Sequence, residues 1–458
     1  MLFSKRDLAK IVIPLIIQQL LAVTIGAADS VMVAYAGEAA VSGVSLINTL
    51  DTLLVMVFTS LVAGGGVVVA QSLGRGDPAL ARSSSKQLLW TATGIAIALT
   101  GVVVLCRVPL LNLLYGDVEP AVMDSALSYF FFMALSFPFL AIESACAALF
   151  RTMGNTVISM VVSICMNLLN VGGNALLIMH FEMGAAGAAI ASLFARICGA
   201  VVLLVLLHSK KRVLYFEKLL HYRPDFKIIK SILRIGVPNG IENGMFQFGK
   251  LLTQSLISSM GTAAIAANAV ASTLATFQYM PGSAAGSTMV AVVGRCIGAG
   301  EREQARRYTR MLTSLTYFCV WFICGLTFLL ASPLISLYKL SPESGELSYQ
   351  MIMLHAICAC VIWPMAFTLP HAFRAASDVK YPLVISMLSM WLFRVALSYV
   401  FSLQTVNVFG LELQGLALGA IGVWLAMSVD WLFRALLFFL RYLRGKWLQV
   451  YDRLNPVA

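Results

Sequence analysis

LGRGDPALAR at residues 73–82 returns as IGAGEREQAR at residues 297–306, and the fold follows from that echo. The two stretches align without gaps at a separation of 224 residues: Gly74 meets Gly298, Gly76 meets Gly300, Asp77 meets Glu301, Ala81 meets Ala305 and Arg82 meets Arg306. At the same separation Pro14 meets Pro238, Gly37 meets Gly261, and Val68 and Val69 meet Val292 and Val293. A second ladder, at 223 residues, pairs Phe150-Arg151 with Phe373-Arg374, Asn155 with Asp378 and Ser163 with Ser386. Each copy is almost continuously apolar. The chain is therefore a duplicated membrane domain, an architecture from which many secondary transporters are built.

Composition agrees. Of 458 residues, 60% are hydrophobic and 12% charged, where a soluble protein carries roughly 25% charged residues. Apolar runs such as 88–106, 190–207 and 417–440 meet or approach the ~20 residues that cross a bilayer. With Pro, Gly and charge clusters as breaks, roughly twelve spans are expected, six per copy. They fall near 11–36, 41–70, 88–114, 125–150, 156–179 and 185–208, then near 231–259, 264–294, 309–337, 347–373, 381–402 and 415–443. The predicted organisation is an N-lobe over 1–208, a basic cytoplasmic linker over 209–230, a C-lobe over 231–443 and a cytoplasmic tail over 444–458. An even number of spans per copy makes this a parallel repeat, with pseudo-symmetric six-helix lobes related about the membrane normal.

Charge placement orients the chain. Only Arg107 and Lys339 fall on the outward side, while Lys5-Arg6, Arg75 to Lys86, Lys210 to Lys230, Arg302 to Arg310 and Arg441 to Arg453 gather on the other. That is the positive-inside pattern, so both termini are expected in the cytoplasm of a multi-pass protein of the plasma (inner) membrane. The net charge of +11 is then a topology signal, with no soluble basic domain to bind nucleic acid. Within the linker, Leu214, Tyr215, Phe216, Leu219 and Leu220 lie among the charges; an interfacial helix and a solvated linker are both open readings. The start of the chain carries Gln18, Gln19 and Asp29 and recurs in the second copy, so it is read as a retained span rather than a cleaved leader. The nine cysteines lie in or beside apolar runs and suggest no disulfide framework or metal motif.

Ionisable groups at bilayer depth cost ~2.5–3.5 kcal/mol on insertion scales, and each needs a reason. Asp29, in the outer half of the first span, has no basic neighbour in sequence and reads as a proton or cation carrier; its counterpart in the second copy is Thr253. Glu242 follows Pro238 by four residues, with Phe246 and Lys250 on one face beyond it. It either pairs with Lys250 or faces a cationic ligand. Asp378 stands four residues after Arg374, and Asp430 four before Arg434, a spacing typical of structural pairs. Glu143 and Arg196 are a further candidate pair. Asn170, Asn174 and Ser192 offer amide and hydroxyl oxygens that suit a hard monovalent cation or glue helices together.

These residues resemble the multidrug and toxic compound extrusion (MATE) family. The matching segments are PLIIQQLLAVTIGAADSVMVAYAG (14–37), AQSLGRGD (70–77), FRTMGN (150–155), GAAGAAIAS (184–192), GAGEREQAR (298–306), FRAASD (373–378) and GVWLAMSVDWLFR (422–434), in order over nearly the whole chain. The resemblance implies an all-α, V-shaped bundle of twelve helices in two lobes around a central cavity. It also implies export of bulky, mostly cationic amphiphiles against an inward flow of H⁺ or Na⁺. Asp29 matches the family's coupling aspartate and Asn170 the asparagine of that site; Ser192 stands where threonine is common, and Asn174 where many members have aspartate. One carboxylate thus remains in a set that would hold H⁺ or, alternatively, Na⁺. Asp378 matches an aspartate that one bacterial branch uses in the second lobe. That branch's glutamate position is occupied here by Phe246, and Glu242 lies one turn earlier.

The expectation is an H⁺-coupled multidrug antiporter, with Na⁺ the second choice of ion, no further cofactor, membrane lipids around it and a monomeric state. Glu242, Phe246, Gln247 and Gln278, with Met32, Tyr35 and Met280, are candidate cavity contacts. The alternative is a lipid or lipid-linked glycan flippase, for which Arg196 and Arg394 would be cavity arginines. The five histidines form no HExxH or His-carboxylate cluster, which argues against a membrane enzyme.

Overall fold

In the computed structural model, which describes residues 2–116, 118–217, 219, 221–408 and 411–454, the paired glycines of the repeat are corners of the fold. Gly37 and Gly261 sit at φ +93° and +99°, and Gly76 and Gly300 both at +74°, a region that glycine enters without steric cost. Each pair ends one helix and starts the next. The first six spans are α1 (Lys5–Ala34), α2 (Glu38–Gly74), α3 (Pro78–Tyr115), α4 (Pro120–Thr152), α5 (Thr156–Asn174) and α6 (Gly184–Leu207). The second set is α7 (Phe226–Ser258), α8 (Thr262–Gly298), α9 (Arg302–Ser336), α10 (Pro342–Val361) with α11 (Pro370–Ala375), α12 (Lys380–Ser389) with α13 (Leu397–Ser402), and α14 (Gly419–Leu443). Among the described residues, nine helices are long and apolar enough to cross a bilayer, and ten if the bent pair α10–α11 counts as one span. The remaining two spans, α7 and α8, are 33 and 37 residues long. They carry Glu242, Lys250, Gln254, Asn268 and Gln278, which lower their apolar content.

The described residues form two compact units that divide between Gly240 and Ile241. The division falls inside α7 rather than in the preceding linker. In the first unit α4 packs against α2, α3 and α6, around Phe58, Phe130, Phe137 and Phe150. Gly64 and Gly65 permit the close approaches. A Cβ on Gly65 would stand 2.2 Å from Leu88 Cδ1, and one on Gly64 2.5 Å from the backbone of Gly236. Small residues at helix crossings serve this purpose in membranes.

The connector after α6 is not an interfacial helix. Among its described residues 208–225 have no helical segment, and Leu220 lies outside them. The chain is instead strapped to the start of α3. Lys86 Nζ donates to His221 O (2.7 Å), Gln87 Nε2 to Arg223 O (2.7 Å) and Trp90 Nε1 to Leu219 O (3.1 Å). Leu214 and Phe216 are buried, so these two side chains face protein rather than lipid.

In the second unit α8 packs on α9, α10 and α11, and α13 on α14. α10 and α11 meet at 64°, across a π-helical turn Pro364–Thr368 where Pro364 and Pro370 withhold backbone donors. His355 sits edge-on to Trp424 and Trp431 at the centre of this unit, with ring centroids 5.7 and 5.0 Å away. One element has no counterpart among the described residues of the first copy: a hairpin of β1 (Thr405–Val408) and β2 (Leu411–Gln414), paired from Thr405↔Gln414 to Val408↔Leu411. It lengthens the loop before α14. Beyond α14, a 3₁₀ turn Lys446–Gln449 and α15 (Val450–Leu454) fold back, burying Trp447 against Phe373. Residues 455–458 of the expected tail lie outside the described residues.

Candidate functional site

In the first unit, the four residues singled out for ion coupling come together. Gly173 lets α6 approach α5, since a Cβ there would lie 2.9 Å from that of Ala191. Ser192 is thereby brought beside Asn170. α5 becomes a π-helical turn, Ala175–His180, directly after Asn174; such turns recur at functional sites. Asn174 Nδ2 donates to Asp29 Oδ1 at 2.8 Å. With its amide turned to satisfy both neighbours, Asn170 donates to Asp29 Oδ1 (2.8 Å) and Oδ2 (3.0 Å), and accepts from Ser192 N (3.2 Å) and Oγ (2.9 Å). Asn174 Oδ1 is buried without a hydrogen-bond partner. Asp29 has no ion-pair partner among the described residues, whereas Asp51, Glu242, Asp378 and Asp430 each face an arginine.

Several expected pairings are replaced by others. Glu242 does not reach along its own helix to Lys250. Its carboxylate takes Arg374 Nη2 on Oε2 (2.7 Å) and Ser386 Oγ on Oε1 (2.7 Å), because the bend at Pro364 turns α11 toward α7. Arg374 is thus drawn away from Asp378, which binds Arg441 of α14 instead, at 3.0 Å from Nε and 2.9 Å from Nη2. Asp378 therefore belongs to a tie between the α11–α12 turn and α14, apart from the Glu242 set. Arg196 does not pair with Glu143. It donates to Ser136 Oγ (2.5 Å) and lies 4.0 Å from Asp51.

Gln278 is fully buried within the second unit and is not a cavity contact. Its Nε2 donates to Thr327 Oγ1 (3.1 Å) and its Oε1 meets His355 Nδ1 (2.5 Å). Met280 is likewise buried, while Tyr35 is exposed. Gln247 is half-buried on α7. Phe246 stands edge-on to Phe367 at 6.0 Å.

The pairing of Asp430 with Arg434 holds at 2.8 Å, and Arg394 joins it at 3.8 Å from the second carboxylate oxygen. Ser389 Oγ also donates to Asp430. Sequence reasoning missed that Arg374, Ser386, Ser389 and Arg394 form one polar layer with Glu242 and Asp430. A signal existed: Arg374 and Ser386 both sit on the repeat ladder, opposite Arg151 and Ser163.

Comparison with known proteins gives a consistent family. The MatE sequence profile matches twice, over residues 14–176 and 238–400, so each match starts at one of the paired prolines. The chain is 26% identical to a probable multidrug resistance protein NorM of Thermotoga maritima, over 97% of this chain and 93% of that one. It is 24% identical to an uncharacterized transporter, YisQ, of Bacillus subtilis, over 95% and 93%. Among solved structures, a MATE in the bent conformation superposes with a TM-score of 0.87 at 17% identity, covering 97% of this chain and 96% of that chain. An outward-facing multidrug resistance MATE transporter of the MOP superfamily gives 0.85 at 16% identity, covering 97% and 96%. The fold is the two-lobed, twelve-helix MATE bundle.

Proposed function

Given that this chain belongs to the MatE family of membrane transporters, we propose that it is a secondary active multidrug exporter of the plasma membrane. Inward H⁺ movement through Asp29 would drive it, and both termini would lie in the cytoplasm. Its substrates are organic amphiphiles, cationic ones among them. The observation that carries the coupling role is the setting of Asp29: a half-buried carboxylate held by the amide of Asn174 and, once turned, by that of Asn170, with no ion-pair partner among the described residues. Amide N–H groups stabilise the anion, and protonation turns one carboxylate oxygen into an O–H donor that an amide N–H can no longer face. The proton is thereby tied to a rearrangement of α1 against α5.

Na⁺ would demand the reverse orientation, with amide oxygens turned inward together with the hydroxyl of Ser192, since a hard cation takes oxygen ligands. Asn174 Nδ2 already donates to Asp29 Oδ1 at 2.8 Å, and H⁺ is the ion we infer. One charge moving through 100 mV supplies ~2.3 kcal/mol, on the order of fifty-fold in gradient, so one or two protons suffice. The flippase reading loses its support at Arg196, which is engaged by Asp51 and Ser136.

Inside-out vesicles loaded with a pH-sensitive dye test the proposal. Ethidium uptake with matching proton efflux, under ΔpH and without Na⁺, is the expected result, and Asp29→Asn should reduce it to background. Uptake with Na⁺ alone would transfer the role to sodium. Full ΔpH-driven uptake by Asp29→Asn would overturn the coupling assignment.

A further inference from the structure

The polar layer of the second unit is cationic overall. It contains Arg374, Arg394 and Arg434 against the two carboxylates Glu242 and Asp430, and Lys250 adds a further charge one turn beyond Phe246 on α7. The carboxylates are already committed. Glu242 holds Arg374 at 2.7 Å, and Asp430 holds Arg434 at 2.8 Å. Arg394 is left with a loose contact of 3.8 Å to Asp430, and its Nε is buried without a hydrogen-bond partner. Lys250 is exposed on the same face of α7 as Glu242 and Phe246, with no ion-pair partner among the described residues. The Phe246 ring lies beneath two guanidinium groups, 5.1 Å from Arg394 Cζ and 5.4 Å from that of Arg434.

Excess positive charge at bilayer depth is expensive, and such residues mark substrate and ion pathways. Arginine carries its donors in a fixed fork that matches carboxylate and phosphate oxygens. Arg394 also lies in a π-helical turn, Met390–Ala396, a local distortion common at functional sites. The neighbouring Phe246 and Phe367 rings offer apolar contact to the body of an amphiphile.

We propose that the second unit binds an anionic group, a carboxylate or phosphate, at Arg394 and Lys250 beside Phe246. Substrates of this transporter would then include amphiphiles that carry a negative group, zwitterions among them. The assignment rests on the exporter reading for its consequence in transport, but not for binding itself. Arg394 supplies the directional donors and Lys250 a second charge. Arg374 and Arg434 stay engaged with their carboxylates and hold the layer in place.

The test uses the full-length protein in nanodiscs and two dyes of one scaffold: a cationic rhodamine methyl ester, and the same rhodamine with its carboxylate free. Fluorescence anisotropy gives the ratio of their affinities. A preference for the free acid of about tenfold is expected, the magnitude of one charge-assisted hydrogen bond. Arg394→Gln should bring the ratio close to one, and Arg394→Lys should restore part of it. Lys250→Gln, on an exposed face, should also lower it and carries the test if Arg394→Gln does not fold.

Nanodiscs of phosphatidylcholine and of phosphatidylglycerol, and inorganic phosphate as competitor, separate the sources. A preference lost only with phosphatidylglycerol identifies a lipid headgroup as the resident anion. One lost with inorganic phosphate identifies a free anion, and either result supports the site. Equal affinities for the two dyes, no binding of the acid, or an unchanged ratio in both variants overturns it. Absence of ΔpH-driven transport of the ester would count against the exporter reading instead.

Discussion

Glu242 and Arg374 satisfy each other in the second unit, and neither is tolerable alone at that depth. Removing one partner of a buried pair leaves an uncompensated charge, at a cost of about 3–5 kcal/mol. Arg374→Met should therefore lower the Tm of the purified protein markedly, while Glu242→Gln combined with Arg374→Gln should recover most of the loss. A single Arg374→Met that melts like wild type would show the pair to be dispensable. Asp29→Asn should behave differently, because the amides around it can re-pair with the new amide; Tm should change little while coupled transport is lost. These two carboxylates were both visible as buried acids in an apolar run. The sequence could place Asp29 with Asn170, Asn174 and Ser192 because the family motifs align there. It could not name the partner of Glu242, because Arg374 is remote along the chain and reaches it only through the bend at Pro364. Local spacing pointed instead to Lys250 and to Asp378, and both choices failed for that reason.

The elements follow the apolar runs closely, and the departures have physical causes. Spans were legible because lipid forces every backbone group into an internal hydrogen bond, so a long apolar run has few options other than helix. The connector after α6 was not legible by that rule, since water and protein both compete for its backbone. It is fixed by side chains from the start of α3. Gln87 lies at the centre of the strap, donating to Arg223 O and accepting from Tyr222 Oη at 2.8 Å. The indole of Trp90 packs on Tyr222, 5.4 Å between ring centroids. Buried hydrogen bonds left unmade cost about 1–3 kcal/mol, so Gln87→Ala should loosen the strap without unfolding the helices. Limited trypsin digestion reads this directly through Lys210, Lys211, Arg212 and Arg223. Cleavage in the connector should accelerate severalfold in the variant, and an unchanged rate would show the strap to be held elsewhere. The hairpin β1–β2 marks a second limit. It is short, and the loop it extends separates the turn residues Glu182 and Gly184 from their counterparts Ala417 and Gly419, all four at positive φ. The repeat register slips there, which is why the ladder is lost before α14.

Across the whole chain, the duplicated pattern and the charge pattern make one joint statement. The repeat was legible because backbone geometry demands its glycines at the α1–α2 and α2–α3 corners and at their counterparts α7–α8 and α8–α9, and such positions persist when side-chain chemistry diverges. The polar clusters of the two copies differ in that chemistry: amides and one carboxylate around Asp29, arginines and two carboxylates around Glu242 and Asp430. Orientation is the remaining property of the whole molecule, and each unit supports it separately. In the first, the basic connector meets Arg82 and Lys86 near the α2–α3 corner. In the second, Arg302 at the α8–α9 corner pairs with Asp452 of the tail, and Tyr442 Oη donates to Arg306 O at 3.3 Å. The basic loops of each unit thus converge on one end, and Arg107 and Lys339 lie away from them in sequence. Lys and Arg near span ends resist translocation, so that end should face the cytoplasm in both units. Green fluorescent protein fused after Ala458 should fluoresce in bacterial cells. Alkaline phosphatase fused in the α3–α4 loop should be active, and fused in the 208–225 connector should be inactive. Active phosphatase in the connector would reverse the orientation of the first unit. A dark C-terminal fusion, with full-length protein present in the membrane, would mean that the second unit enters from the opposite side and that the repeat is inverted rather than parallel.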